Sequence, residues 1–143
     1  MKQACKYKKS NPVGSYKDLI VWQKAMVLAE KVYALSSSFP DTERFGLQSQ
    51  LRRAAVSVPS NIAEGRSRNG KREFVQFLYI AIGSLNEIET QLELTRRLSL
   101  CSENMCTENT EMLIEVRKML YALVAKVDSR PLTPERSPLT TSL

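Results

Sequence analysis

The chain has 143 residues, a formal net charge of +6, 43% hydrophobic residues and no histidine. That length makes one domain with room for a real core. The residue types exclude much else: there is no run of 18 apolar residues to span a membrane, no apolar segment behind the first lysines to act as a secretory signal, and no histidine for acid–base work near neutral pH.

Residues 1–15 carry Lys2, Lys6, Lys8 and Lys9 without an acid and read as a basic flexible arm. The first helix is expected on the stripe Leu19, Trp22, Met26, Ala29 and Tyr33, spaced three, four, three, four. Ser36-Ser37-Ser38-Phe39-Pro40-Asp41-Thr42 ends it and offers Asp41 or Thr42 as the N-cap of the next. The second helix follows Leu47, Leu51, Ala54 or Ala55, Val58 and Ile62. Gly65 and Asn69-Gly70 bracket a turn before the third, whose seam is Phe74, Leu78, Ala81, Leu85, Ile88 and Leu92. The polar stretch Ser102 to Asn109 precedes the fourth, built on Leu113, Val116, Leu120, Leu123 and Val127. Beyond it, residues 128–143 hold three prolines and many hydroxyls and read as a disordered Ser/Thr/Pro-rich tail. Short connections between long helices make antiparallel neighbours, so residues 16–127 are expected to fold as an all-α, up-down-up-down four-helix bundle.

Pro59 sits inside the second stripe. An interior proline lacks the N–H donor and crowds the preceding turn, costing about 3 kcal/mol and bending the helix. Val58 and Ile62 keep the seam unbroken across it, so a helix kinked at Pro59 is expected, the alternative being a helix that ends at Ser57. Ser57 and Asn61 are placed to take up freed carbonyls, including that of Ala55. With Leu51 facing the core, Ser57 and Ser60 line the outer face and Asn61 its flank, small enough for another backbone to approach.

No nucleophile elbow, dinucleotide fingerprint or phosphate loop is present. The three cysteines (Cys5, Cys101, Cys106) are an odd set without a histidine, which reads as free thiols in a reducing compartment and not as a disulfide framework or a zinc site. The expected protein is therefore a cytoplasmic binding protein with no catalytic set, cofactor or metal.

Charge is unevenly distributed. Residues 1–17 hold five lysines and no acid; residues 44–72 hold seven bases against Glu64; residues 73–115 hold eight glutamates against Arg96 and Arg97. These blocks suit pairing between neighbouring helices, docking between copies of the chain, or a nucleic-acid surface. The candidate phosphate-contacting residues are Lys6, Lys8, Lys9, Arg52, Arg53, Arg66, Arg68, Lys71 and Arg72; the stem of Arg52 also suits packing. Aromatic side chains are few and lie mostly on seams, so base-stacking readout of single strands is disfavoured. In the third helix Val75, Tyr79, Ile80 and Ile82 widen the apolar stripe beyond the arc one core needs. With Ser57, Ser60 and Asn61 they are the expected oligomer interface.

The string RRAAVSVPSNIAEG, with YKDLIVWQKAM before it and EFVQFLYIAIGSLNEIETQLEL after it, resembles the four helix bundle protein family. Its members are encoded by intervening sequences inside bacterial large-subunit ribosomal RNA genes. The resemblance covers about residues 16–127 and leaves both tails outside. It implies a bundle that assembles into a pentameric barrel, with no catalytic residue. It is also similar to the accessory variability protein of diversity-generating retroelements, a basic pentamer that binds nucleic acid and a reverse transcriptase. Sequence and resemblance together lead to a homopentameric RNA-binding scaffold, of the intervening-sequence type or a reverse-transcriptase accessory; a protein-binding adaptor whose basic helix docks an acidic partner is the other reading.

Overall fold

A computed structural model describes residues 15–129. Lys6, Lys8, Lys9 and most of both tails lie outside the described residues. Four helices carry the chain: α1 (Ile20–Ser36), α2 (Leu47–Ser67), α3 (Lys71–Arg97) and α4 (Glu103–Val127), with short 3-10 turns at Tyr16–Asp18 and Asp41–Glu43. No strand occurs among the described residues.

The helix ends follow from local chemistry. The serine run stops α1 by taking its last carbonyls: Ser36, Ser37 and Ser38 hydroxyls donate to Tyr33, Ala34 and Leu35 oxygens. The expected caps Asp41 and Thr42 are spent in the 3-10 turn, and the α2 N-terminus is held instead by Glu43, whose Oε2 accepts from the Leu47 N–H at 3.2 Å. Ser102 caps α4 by accepting from the Met105 N–H, so that helix starts at Glu103 and absorbs the polar stretch expected to precede it.

α2 runs unbroken through Pro59, which is buried. The Asn61 side chain donates to the Ser57 carbonyl at 2.7 Å and to the Ser57 hydroxyl at 2.9 Å, so it braces Ser57 and not the Ala55 oxygen. Gly65 is not part of a turn. It lies within α2, where a Cβ would stand 2.6 Å from the Phe77 Cβ and 3.1 Å from the Phe74 ring. Glycine is therefore what lets α2 and α3 approach closely at this end.

Sequential helices pack on each other, and α1 meets α4 to close the square. Along α2 and α3, Gly65 meets Phe74 and Phe77, whereas the Ser57 and Ser84 hydroxyls meet at 2.8 Å. Residue numbers rise in one helix as they fall in the other, so the pair is antiparallel. Arg117 on Asn86 and Glu89, with Arg96 on Glu103, gives α3 and α4 the same relation. The expected seams of α2 and α3 fill the core, with Leu51, Ile62, Leu78, Leu85 and Ile88 fully buried and only Phe74 partly so. Burying each such side chain stabilises by ~1.5–3 kcal/mol.

α1 departs from the expectation. Its core face is Val21, Ala25, Leu28, Val32 and Leu35, while Met26 is 38% and Tyr33 44% exposed. Of the seam read from spacing, Ala29 is buried and Leu19 and Trp22 pack partly against the core, so Met26 and Tyr33 are the members that face outward. In α4 the seam holds, with Val124 buried beside it and Leu123 and Val127 only half-buried.

Candidate nucleic-acid interface

The bundle has two ends. One gathers the α2–α3 turn, the α1 start and the α4 C-terminus; the other gathers the α1–α2 connection and the α3–α4 turn. The described chain begins at Ser15 on the first end, where the Tyr16–Asp18 turn packs on α2.

The basic cluster forms at this first end. Arg66 lies in the last turn of α2, Arg68 follows that helix, and Lys71 and Arg72 open α3. Lys71 and Arg72 are exposed, Arg66 is half-buried, and no ion pair neutralises any of the three among the described residues. Arg68 is partly occupied: it bonds Glu64 at 2.8 Å and lies over the Phe77 ring at 5.2 Å. Gly70 opens α3 without a side-chain cap, so free N–H groups and the positive end of the helix dipole add to the field. Lys126 in the last α4 turn faces solvent at the same end, a residue that spacing could not link to this cluster because only the tertiary fold puts it there.

Two expected members stand apart. Arg53 is exposed but about 20 Å further along α2, thirteen residues at 1.5 Å each. Arg52 is a structural residue: its Nε donates to the Ser36 hydroxyl at 2.9 Å, a terminal nitrogen donates to the Tyr33 carbonyl at 3.3 Å, and the guanidinium covers the Tyr33 ring at 4.6 Å. It ties α2 to the C-terminal turn of α1, where carbonyls and dipole both favour a cation.

The residues expected at an oligomer interface divide as well. Tyr79 and Ile80 are 53% and 52% exposed on the outside of α3, next to Gly83, whose missing Cβ would meet nothing. Ser60 is exposed. Ile82 is corrected to a core residue, 3% exposed, and Val75 packs partly against the core. Ser57 and Asn61 are engaged within the subunit, Ser57 through Ser84 on α3 and Asn61 through Ser57. The extra apolar width of α3 thus has two sources: Ile82 and Val75 serve the bundle itself, and only Tyr79 and Ile80 are left outward.

The sequence model of the 23S rRNA-intervening sequence proteins matches residues 17–122, most of the chain and all but the end of the bundle. The chain belongs to that family. A crystal structure of a protein of unknown function from the S23 ribosomal protein family of Bacteroides thetaiotaomicron is similar in fold, with a TM-score of 0.69 and 24% identity over 73% of this chain and 98% of that one. None of the curated proteins matches.

In this intervening-sequence family member the α3–α4 side of the bundle carries ion pairs. Glu93 pairs with both Arg96 and Arg97, Arg96 reaches Glu103, and Arg117 grips Glu89 through two contacts at 3.0 and 3.2 Å. The Arg96 hydrogen bond, then that of Arg97, holds the Glu93 carboxyl below its ordinary pKa, and the bond that Arg117 donates to Glu89 raises that of Arg117. A groove of about 570 Å³ between α3 and α4 is lined by Glu89, Glu93, Arg96, Thr107 and Glu111. Among the described residues no group of three or more His, Cys, Asp or Glu could hold a metal, and no helix is long and apolar enough to cross a membrane.

Proposed function

We propose that this protein is a cytoplasmic, non-enzymatic homo-oligomer, a pentamer, that holds RNA through phosphate contacts at the α2–α3 end of the bundle. The observation that carries the reading is the set Arg66, Lys71 and Arg72, which have no carboxylate partner among the described residues while Arg96 and Arg97 at the far end of α3 are paired. Unbalanced positive charge around a helix N-terminus is what a polyanion needs, and phosphate contacts hold RNA without reading its bases. The family's association with 23S rRNA intervening sequences supports RNA as the polyanion. The outward Tyr79 and Ile80 supply an apolar face for a second copy, and repetition around a ring lets weak contacts add up. A gene lying inside a ribosomal RNA operon would favour the intervening-sequence role; a neighbouring reverse transcriptase would favour the accessory role.

The test replaces Arg66, Arg68, Lys71 and Arg72 with Gln and measures RNA affinity against salt. The parent should lose affinity steeply, with a logarithmic slope of about −0.7 per phosphate contact on single strands, and the variant should bind all RNAs weakly with a flatter slope. Ile80→Glu should move the assembly toward monomer with helix content retained, read by light scattering. Unchanged RNA binding by the quadruple variant would remove this surface as the site and favour the acidic-partner adaptor.

A further inference from the structure

The α3–α4 turn brings two thiols together by a set of backbone constraints that RNA binding does not use. α3 closes with the Leu100 N–H on the Thr95 carbonyl and the Ser99 N–H on the Arg96 carbonyl, with Ser99 in the left-handed region at φ 54°. Two residues on, Ser102 caps α4, and the Cys106 N–H bonds the Ser102 carbonyl. Cys101, half-buried, is thereby held just before the cap, and Cys106, 3% exposed, is held in the core one turn into α4. Their sulfurs lie 2.6 Å apart, inside ordinary non-bonded contact. A disulfide needs about 2.05 Å, so a small local shift closes it.

We propose that Cys101 and Cys106 form a reversible intramolecular disulfide, which makes this turn a thiol–disulfide modification site whose co-reactant is a low-molecular-weight disulfide such as oxidised glutathione. The accessible Cys101 thiolate attacks one glutathione sulfur, and the glutathione S–S bond breaks to release one glutathione thiolate. The Cys106 thiolate then attacks the Cys101 sulfur of the mixed disulfide and expels the second glutathione. Two protein thiols are oxidised, one glutathione disulfide is reduced to two thiols, and the two protein protons end on those thiols at neutral pH.

The surroundings make this a slow staple and not an oxidoreductase centre. Burial, the contact with Cys106 and the nearby Glu103 charge push the Cys101 thiol up to about 12, so thiolate is scarce at neutral pH. The charged groups around the turn are Glu103 and Glu111 on α4 and Glu93 and Arg96 on α3, with Arg96 committed to Glu93 and Glu103. The site is separated from the basic turn by the whole of α3, about 40 Å at 1.5 Å per residue, so its closure leaves the phosphate-contacting residues in place.

The experiment incubates the full chain with excess oxidised glutathione, then counts free thiols under denaturing conditions and maps the linked peptides. Cys101 and Cys106 should lose their thiols and be found joined to each other, whatever glutathione Cys5 takes up, with dithiothreitol restoring all three thiols. The closed form should melt a few degrees higher while its RNA affinity at matched salt stays within twofold of the reduced form. Cys106→Ser should instead trap a stable glutathione adduct on Cys101, and Cys101→Ser should leave Cys106 unmodified. A parent that retains the Cys101 and Cys106 thiols, keeps a persistent mixed disulfide on Cys101, or links Cys5 in place of Cys106 overturns the proposal.

Discussion

The two ends of α3 are built from similar residue types and differ in what those residues are free to do. At the N-terminal end α2 and α3 meet at a glycine, the aromatic rings of Phe74 and Phe77 fill the contact, and Lys71 and Arg72 are exposed to solvent. At the C-terminal end the cations are folded back on carboxylates, and the turn is fastened by a left-handed serine, a serine cap and two thiols. At one end Arg66, Lys71 and Arg72 lack carboxylate partners among the described residues; at the other, ion pairing uses the charges of Arg96 and Arg97 up. A positive residue is therefore informative only together with what its neighbours satisfy.

The largest expected effect is at the glycine contact. Gly65→Ala puts a Cβ 2.6 Å from that of Phe77 and should destabilise by about 2 kcal/mol through overpacking, lowering Tm by several degrees. Gly83→Ala, in α3 with open space around it, should stabilise a separated subunit by up to ~1 kcal/mol from backbone entropy alone. If both glycines tolerate alanine equally in thermal melts, the close α2–α3 approach is not what distinguishes this end.

Arg52→Gln comes next, and it separates structural from ligand-facing arginines. Losing the Ser36 and Tyr33 bonds and the ring contact should cost about 1–2 kcal/mol in denaturant titration and leave the salt slope of RNA binding unchanged. A flattened slope with unchanged stability would return Arg52 to the interface. At the opposite end, Ser99→Gly should stabilise by ~0.5–1 kcal/mol, because glycine meets no penalty at φ 54°. A loss of stability there would show that the serine side chain holds the turn.

The smallest effect is electrostatic. Glu93 is held below its ordinary pKa by Arg96 and then Arg97, so it favours the folded state at pH above the ordinary carboxylate value, and that contribution fades as pH falls through the lowered one. The pair is exposed and the change in stability is small. The direct measurement is an NMR titration, in which replacing Arg96 and Arg97 with Gln should return the Glu93 midpoint to the normal range.

Period and punctuation alone determined that four helices form, that the third is long, and that α2 survives Pro59, because Val58 and Ile62 continue the seam on both sides of it and burial outweighs one lost hydrogen bond. The basic turn was legible for the same local reason: Arg66 through Arg72 are neighbours in the chain. What spacing left open was how the apolar face of α1 is turned, since Met26–Tyr33 and Val21–Leu28–Leu35 have the same helical period and only packing against α2 and α4 chooses between them. Tertiary structure likewise decided that Ile82 is core and Ile80 is surface, two residues apart on one helix, and that Arg52 is bound while Arg66 has no ion-pair partner. Local pattern reports what a segment can bury; which partner covers it, and which charges are left over, depends on contacts between segments distant in the chain.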